Sequence, residues 1–285
     1  MALPDGFDLD DFVRRTFAED LGSGGDVTSR ATIGAAARFT AEMRARQRIV
    51  VAGIDIAAAF FRTLDPEVRI ETLATDGGEV QAGSVLMRLE GNARAMLTAE
   101  RSALNTLQHL SGVATLTRTY VDAIAGTGAI VLDTRKTIPG LRSLEKYAAR
   151  MGGAQNHRMR LDDGVLIKDN HVAVAGGVAE AVRRAKAADT GLQVQVEVDR
   201  IDQIEPALAA GADRLLLDNM DPALLREAVA LVAKRVPLEA SGGVTLETIR
   251  FIAETGVDFI SVGRITQSAP AVDIGLDYTI HPSTS

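Results

Sequence analysis

The second half of the chain alternates short apolar runs with amphipathic segments. Six runs of five residues have the composition of buried strands: 129–133, 164–168, 194–198, 214–218, 236–240 and 259–263. Between them, apolar positions recur at helical spacing in the segments 141–151, 177–188, 201–210, 222–234 and 246–255. Strands that alternate with helices pair in parallel, and a repeated series predicts a barrel. The pattern shows six strands, with a seventh possible, whereas a regular barrel has eight.

The first half of the chain has a different pattern. Residues 8–20 carry apolar side chains at helical spacing, and a glycine-rich stretch after them ends the predicted helix. Strand-like pieces follow over residues 39–89, with one helical segment around 53–63. A long helix then carries an apolar stripe from Leu104 to Ile124. This half of the pattern predicts a small mixed α/β domain.

The change of pattern predicts an α/β protein with two domains. We place a smaller N-terminal domain at residues 1–110 and a barrel-like domain at 111–270, and we expect the tail, 271–285, to pack on the first domain. Within the first domain, residues 76–91 resemble the hammerhead turn of biotinyl and lipoyl carrier domains. No lysine lies at the turn where those domains are modified, so we interpret the segment as scaffold.

The composition excludes several classes of function. The net charge of −7 argues against a general nucleic-acid or membrane-surface binder. No segment approaches the roughly 20 apolar residues that span a bilayer, and the N-terminus lacks the apolar segment of a signal peptide. The chain has no cysteine, which excludes disulfides and thiolate chemistry and is compatible with a reducing compartment. We therefore expect a cytoplasmic protein of 285 residues, long enough to bury a sizeable core.

Polar residues gather at the carboxyl ends of the predicted strands, where parallel barrels form their active sites. They are Asp133 to Lys136, Lys168 to His171, Glu197 and Asp199, Asp218 and Asn219, Glu239 to Gly243, and Gly263 with Arg264. Ser241-Gly242-Gly243 precedes a helix predicted to begin near Thr245, and Val262-Gly263-Arg264 follows the last strand. Glycine lets backbone N–H groups approach a phosphate closely. Two such turns after the last two strands therefore predict a phosphate site.

Basic residues form a cluster that contrasts with the acidic average of the chain. The cluster comprises Arg135, Lys136, Arg142, His157, Arg158 and Lys168. Arginine binds carboxylates through paired hydrogen bonds and lysine binds phosphate as a point charge, so the cluster predicts substrates with several negative charges. Glu197 and Asp218, on adjacent strand ends, could bind ribose hydroxyls, hold magnesium or stabilise a developing cation. Magnesium prefers oxygen ligands, waters and substrate phosphates, so no dedicated metal motif is expected.

Several of these motifs together resemble the decarboxylating nicotinate-nucleotide pyrophosphorylases, that is, the quinolinate phosphoribosyltransferases, over nearly the whole chain. The matching segments are AEDLGSGGDVTS (18–29), ERSALNTLQHLSGVATLT (100–117), LDTRKTIPGLRSLEKYAARMGG (132–153), NHRMRLDDGVLIKDNH (156–171), VEVD (196–199), LLLDNM (215–220), LEASGGVTLETI (238–249) and SVGRITQSAP (261–270). DTRKT, NHR and IKDNH in this order are a highly specific combination. The departures are an extra glycine within 22–25, Gln267 where many members have histidine, and Arg264 at a variable position.

The resemblance implies a fold, an activity and a partner. The fold is an N-terminal α/β sandwich followed by an incomplete seven-stranded barrel. The activity is transfer of the phosphoribosyl group of phosphoribosyl pyrophosphate (PRPP) to the ring nitrogen of quinolinate with decarboxylation. This reaction yields nicotinate mononucleotide, carbon dioxide and pyrophosphate in de novo NAD biosynthesis. The implied cofactor is Mg²⁺, and the implied assembly is a homodimer with shared active sites; whether dimers assemble further stays open.

The resemblance also implies a role for each matching residue. Quinolinate would be held by Arg101 of the neighbouring subunit and by Arg135, His157, Arg158 and Lys168. The expected catalytic residues are Lys136, Lys168, Glu197 and Asp218, of which the two acids would lie near the ribose and its magnesium. The expected phosphate and PRPP contacts are Lys136, Glu197, Asp218, Ser241, Gly242, Gly243, Val262, Gly263 and Arg264.

Three other functions are compatible with parts of the pattern. A related phosphoribosyltransferase could act on nicotinate itself or belong to a molybdenum-transport operon, although the full set of basic residues favours a dicarboxylate. A non-catalytic barrel could bind a phosphorylated ligand as a sensor, although the lysines and acids argue for turnover. A carrier module is suggested by residues 76–91 alone, and the missing lysine counts against it.

Overall fold

A computed structural model describes residue 4 and residues 6–279 of the chain. Its helices are α1 (Leu9–Leu21), α2 (Val27–Thr32), α3 (Ile54–Leu64), α4 (Ala93–Ala123), α5 (Arg142–Met151), α6 (Asp169–Ala175), α7 (Val178–Ala187), α8 (Ile204–Ala209), α9 (Pro222–Val232), α10 (Ile249–Ala253) and α11 (Arg264–Gln267). Its strands are β1 (Arg38–Ala45), β2 (Ile49–Val50), β3 (Arg69–Thr72), β4 (Glu79–Val80), β5 (Val85–Asn92), β6 (Ile130–Leu132), β7 (Val165–Ile167), β8 (Val194–Val198), β9 (Arg214–Asp218), β10 (Leu238–Ser241), β11 (Phe259–Ser261) and β12 (Ile274–Thr279). From β6 onward strands alternate with helices, which confirms the predicted change of pattern.

The described residues divide into two compact units. The first, called the sheet unit, comprises the chain up to Leu116, the segment Ser143–Gly152 and the chain from Ser268 onward. The second, called the barrel unit, comprises Thr117–Arg142 and Gly153–Gln267. Most of α5 therefore groups with the sheet unit, although the sequence pattern assigned it to the barrel. The domain division at residues 110 and 111 stays a prediction.

The sheet unit contains a four-stranded antiparallel sheet in the order β12-β1-β5-β3. Side chains alternate between the two faces of β1, so that Phe39, Ala41, Met43 and Ala45 are buried while the residues between them are not. The register places Ala45 opposite Ile274, so β12 of the C-terminal tail forms an edge of this sheet. Residues 280–285 of the tail lie outside the described residues.

Two helices of the sheet unit pack through aromatic rings. The ring of Phe60 on α3 lies 5.3 Å from that of Phe17 and 6.0 Å from that of Phe12, centroid to centroid. The carboxylate of Asp8 accepts a hydrogen bond from the N–H of Asp11 and caps α1, which ends at Leu21 as the glycine-rich stretch begins. The helices predicted around 8–20 and 53–63 are thus confirmed.

The barrel unit contains six parallel strands in the order β6-β11-β10-β9-β8-β7. The first strand in the chain, β6, pairs with the last, β11, so the sheet curls round and leaves a gap only between β6 and β7. At that gap Gln155 forms a single parallel bridge with Leu132. The predicted incomplete α/β barrel is confirmed, with six strands and this single bridge among the described residues.

One predicted helix of the barrel unit begins later than expected. The pattern places a helix over 246–255 with its start near Thr245, whereas α10 spans only Ile249–Ala253. The chain leaves β10 through two glycines with positive φ, and the hydroxyl of Thr248 then accepts a hydrogen bond from the N–H of Thr245 in a turn. The carbonyl of Thr245 accepts the N–H groups of Thr248 and Ile249, so this hydrogen-bonded turn lies at the predicted start and leads into α10. Among the residues that the structure describes, no helix is long and apolar enough to cross a membrane.

Candidate active site

Four predicted site residues lie where strands of the barrel unit end. Asp218 and Ser241 are the last residues of β9 and β10 and are partners in the strand register. Lys168 follows β7 directly, and Glu197 is the fourth residue of β8. The carboxyl ends of parallel strands meet at one rim of a barrel. The rim therefore holds the residues to which the sequence analysis assigns the chemistry.

Lysine and carboxylate side chains face each other at this rim. The Nζ atom of Lys168 lies 3.3 Å from Oε2 of Glu197. Burial raises the pKa of Asp218 above its usual value, and this effect outweighs the hydrogen bond from Asn219 and the positive charges of Lys168 and Lys136, which lower it. Asp218 thus lies within the field of both lysines in a partly buried position, where hydrogen-bonded and ionic contacts are stronger than in bulk water.

Asn219 connects the rim of β9 to the glycine turn after β10. Its backbone has a φ of +54°, its N–H donates to the carbonyl of Ser241 at 2.9 Å, and its Nδ2 atom donates to Oδ2 of Asp218 at 2.6 Å. A Cβ atom on Gly242 would lie 2.1 Å from Oδ1 of Asn219 and 2.9 Å from its backbone nitrogen. Only glycine fits there, because the turn lies directly on the asparagine that holds the carboxylate of Asp218.

Lys136 lies against the turn after the last strand. Its N–H donates to the hydroxyl of Thr134 at 3.0 Å, and its carbonyl accepts a hydrogen bond from the hydroxyl of Thr266 at 2.8 Å. A Cβ atom on Gly263 would lie 2.9 Å from Cδ of Lys136. The side chain of Lys136 is exposed, so its backbone is anchored while its ammonium group can reach a ligand.

The two residues that flank Gly263 differ in their placement. Val262 is buried and donates its N–H to the carbonyl of Leu132, so neither its side chain nor its N–H faces the rim. Arg264 is exposed at the start of α11. Of the predicted phosphate residues after β11, the structure brings Gly263 to the site but not the polar group of Val262.

Arg135 and Arg158 lie close enough for their charges to interact. Burial, and next the positive charge of Arg135, hold the pKa of the Arg158 guanidinium below its usual value. Nη1 of Arg158 donates to the carbonyl of Gly164 at 3.0 Å. Nε of Arg135 is buried and makes no hydrogen bond within the described part of the chain. Two neighbouring guanidinium groups, one with an unused buried donor, are suited to bind an anion with more than one carboxylate.

His157 is fixed by its backbone and by both ring nitrogens. Its N–H donates to Oδ1 of the buried Asp133 at 2.8 Å, and its Nδ1 atom accepts the N–H of Arg158 at 2.7 Å. Its Nε2 atom lies 3.2 Å from Oε1 of Gln195. Both ring nitrogens of His157 thus contact protein groups, and its contact with quinolinate stays a prediction.

Arg101 lies on α4 in the sheet unit and is exposed. Its Nη1 atom is 3.4 Å from Oδ1 of Asn105, one helical turn away. The predicted position of Arg101 in a neighbouring subunit's site stays a prediction.

Comparisons with known proteins cover both halves of the chain. A family model described as the N-terminal domain of quinolinate phosphoribosyl transferase matches residues 26–111, and one described as its C-terminal domain matches residues 113–277. The chain belongs to the quinolinate phosphoribosyltransferase family.

Individual members of this family match over almost their full length. The chain is 44% identical to the nicotinate-nucleotide pyrophosphorylase (carboxylating) of Mycobacterium leprae over 94% of this chain and 96% of that one. It is 42% identical to a probable enzyme of the same name from Bacillus subtilis, over 93% and 91%. The solved structure of the nicotinate-nucleotide pyrophosphorylase from Francisella tularensis superposes with a TM-score of 0.92 at 40% identity, covering 98% of this chain and 100% of that one.

Quinolinate phosphoribosyltransferase motifs do not by themselves identify the residues that support the rim. The strand pattern predicts Asp133 and Asn219 as polar strand ends but indicates no role for them. The signal for Asn219 is its type, because asparagine after a strand tolerates the left-handed backbone found here. Gln195 lies inside a predicted strand between apolar residues, and Glu239, which is expected at a polar strand end, is instead buried within β10. Such a pattern indicates a polar inward face, although it does not reveal which groups meet there.

Proposed function

We propose that the chain catalyses the reaction of its family, in which quinolinate and PRPP give nicotinate mononucleotide, carbon dioxide and pyrophosphate. The observation that supports it most is the pair formed by Arg135 and Arg158, in which a buried guanidinium donor is unused and the charges of the two arginines interact. A dicarboxylate would satisfy that donor and offset both charges. The neighbouring rim supplies lysines and acids suited to a phosphorylated sugar.

In this proposal the two arginines orient quinolinate so that its ring nitrogen attacks the anomeric carbon of PRPP as pyrophosphate leaves. Glu197 and Asp218 stabilise the cationic ribose that develops at that moment, and Lys136 and Lys168 bind the departing phosphates. Ribosylation leaves the pyridine ring cationic, which stabilises the electron pair left on C2 when the adjacent 2-carboxylate departs as carbon dioxide; a proton from water then bonds to C2 and gives nicotinate mononucleotide. No covalent bond to the enzyme is required, because positioning and fixed charge lower the barrier.

Magnesium is part of the proposal and would be held mainly through PRPP. Within the described residues, no group of three or more histidine, aspartate or glutamate side chains is placed to hold a metal ion. Glu197 and Asp218 fit an ion that takes one or two carboxylates, waters and substrate phosphates. When bound, Mg²⁺ would offset negative charge on the pyrophosphate group.

The proposal also includes a homodimer and a cytoplasmic location. Arg101 is exposed on α4, where its Nη1 atom lies 3.4 Å from Oδ1 of Asn105, so its guanidinium group is available to a second copy of the chain. We expect that copy to place Arg101 beside quinolinate.

The direct test is release of labelled carbon dioxide from carboxyl-labelled quinolinate, with and without PRPP and Mg²⁺. We expect release that requires both and equals the nicotinate mononucleotide formed. Arg135→Ala should abolish it through lost carboxylate binding, whereas Arg183→Ala, which alters an exposed arginine on α7, should not. Nicotinate in place of quinolinate tests the sister activity. Turnover of nicotinate but not quinolinate would overturn the proposal, and so would near-normal quinolinate kinetics in Arg135→Ala.

A further inference from the structure

A group of polar side chains lies inside the barrel unit, one step before the rim. Gln195 precedes Glu197 by two residues on β8, and Glu239 precedes Ser241 by two residues on β10. Side chains alternate along a strand, so each shares a face with the site residue that follows it. Gln195 and Glu239 are buried, Glu239 completely. Barrel interiors are usually filled by branched apolar residues, and these polar groups therefore require an explanation.

The carboxylate of Glu239 is held by three neighbouring strands. Nε2 of Gln195 donates to Oε2 at 2.8 Å, and the hydroxyl of Ser261 on β11 donates to Oε1. Nη2 of Arg214 on β9 lies 2.7 Å from Oε2 but without hydrogen-bond geometry, so this contact is ionic. The ionic contact with Arg214 and the two donated hydrogen bonds offset the burial of this carboxylate. The group is thus a charged carboxylate within the barrel.

Stability alone does not explain a buried ion pair. Replacing such a pair by apolar residues of similar volume often leaves a protein equally or more stable. In this barrel the buried carboxylate also has a structural effect, because Glu239 determines the orientation of the Gln195 amide. The NH₂ group of Gln195 donates to the carboxylate, which can only accept, and the amide oxygen therefore faces His157.

An amide oxygen at 3.2 Å from Nε2 of His157 requires a proton on that nitrogen. On the other side of the ring, Nδ1 accepts the N–H of Arg158 at 2.7 Å and therefore carries no proton. Both contacts select the same tautomer, with the proton on Nε2. The hydrogen bonds thus run from Glu239 through Gln195 and His157 to the backbone of Arg158, and Oε2 of Glu239 also lies 3.5 Å from Nε2 of His157.

We infer that Gln195 and Glu239 are positioning residues, which act through the fixed tautomer of His157 to hold Arg158 in place for its ligand. For the activity this inference rests on the proposed function, since Arg158 is expected to bind a quinolinate carboxylate. Neither residue touches the substrate. Gln195 and Glu239 therefore contribute to the binding of the dicarboxylate, whereas PRPP is bound by other side chains.

The tautomer is tested without any activity measurement. The chain contains four histidines, so long-range ¹H–¹⁵N spectra of the ¹⁵N-histidine-labelled protein are simple, and the His157→Gln variant identifies the signal of interest. We expect His157 to carry its proton on Nε2 in the wild-type protein and this preference to be weaker in Gln195→Met, in which the N–H of Arg158 still favours an unprotonated Nδ1. A wild-type signal from an Nδ1-protonated or doubly protonated ring overturns the inference. This result is available even if Gln195→Met does not fold.

Steady-state kinetics provide the second test. Gln195→Met should raise the KM for quinolinate about tenfold, the effect of one lost hydrogen bond of ordinary strength, and leave kcat and the KM for PRPP within about twofold. Thr255→Val is the matched control, because it removes a buried hydroxyl that donates to the carbonyl of Ile252 outside this group. Equal quinolinate KM values for Gln195→Met and the wild type overturn the inference. A wild-type protein without quinolinate turnover refutes the proposed function instead, and the spectra then decide the inference.

Discussion

The close contact between Gly242 and Asn219 predicts that Gly242→Ala impairs both stability and activity. The added Cβ would lie 2.1 Å from Oδ1 and 2.9 Å from the backbone nitrogen of Asn219. Both distances are below any real carbon contact, and backbone cannot swing aside as the end of a side chain can. Asn219 must therefore move, and with it the hydrogen bond that it donates to Asp218.

Gly211→Ala separates this clash from backbone strain. Gly242 and Gly211 both have a φ of +94°, but a Cβ on Gly211 would meet only two atoms of Lys186 at 3.9 Å, an ordinary contact. The left-handed backbone costs each alanine about 1–2 kcal/mol. Overpacking adds about 1–3 kcal/mol at Gly242 alone. We thus expect losses of about 2–5 kcal/mol for Gly242→Ala and about 1–2 kcal/mol for Gly211→Ala.

The two variants should also differ in activity. Urea denaturation followed by circular dichroism measures the stability loss, and initial rates at varied PRPP measure kcat/KM. Displacement of the Asp218 carboxylate by about 1 Å can lower the rate by about 100-fold, so Gly242→Ala should lose activity on that scale while Gly211→Ala remains near the wild type. Equal losses of stability, or an active Gly242→Ala, would show that the turn does not position Asn219.

Three further outcomes follow from single groups. Burial raises the pKa of Asp218, and the proposed reaction needs its carboxylate charged. The value of kcat/KM should therefore fall with decreasing pH around a pKa above the roughly 3.9 of an ordinary aspartate. A fall in kcat/KM centred at that ordinary value contradicts this. Arg214→Met should destabilise the fold by about 3–5 kcal/mol, because it leaves Glu239 without its cation, whereas Arg183→Met at an exposed pair should cost about 0–1 kcal/mol; urea denaturation compares the two. Asp76→Ala should cost about 2–3 kcal/mol in the same assay, since this carboxylate accepts two backbone N–H groups and a tyrosine hydroxyl.

The elements that the sequence predicts well are those whose pattern depends on burial alone. All six strands of the barrel unit appear where the apolar runs place them, because each run fills the interior or packs under helices. The helix predicted to begin near Thr245 is shorter at its start, where residues 245–248 form a hydrogen-bonded turn that leads into α10. The bridge at Gln155 was missed because a single paired residue leaves no periodic signal.

The sequence predicts less of the site than of the strands. Motifs bring Lys136, Lys168 and Asp218 to attention one by one, and strand alternation is enough to expect them at one rim. Motifs and strand alternation do not predict the orientation of His157. It depends on the amide of Gln195, whose direction is set by Glu239, 44 positions further along the chain. Pairwise contacts of this kind depend on strand register, which short apolar runs do not specify.

The period of two along each strand connects these findings. A polar residue two positions before a rim residue shares its face and, if it is buried, must find a partner inside the barrel. Gln195 on β8 and Glu239 on β10 satisfy this requirement with each other across β9, and Gln195 also contacts His157. A deeply buried polar side chain in an otherwise apolar strand of such a barrel therefore indicates a place where the barrel interior fixes the geometry of the rim.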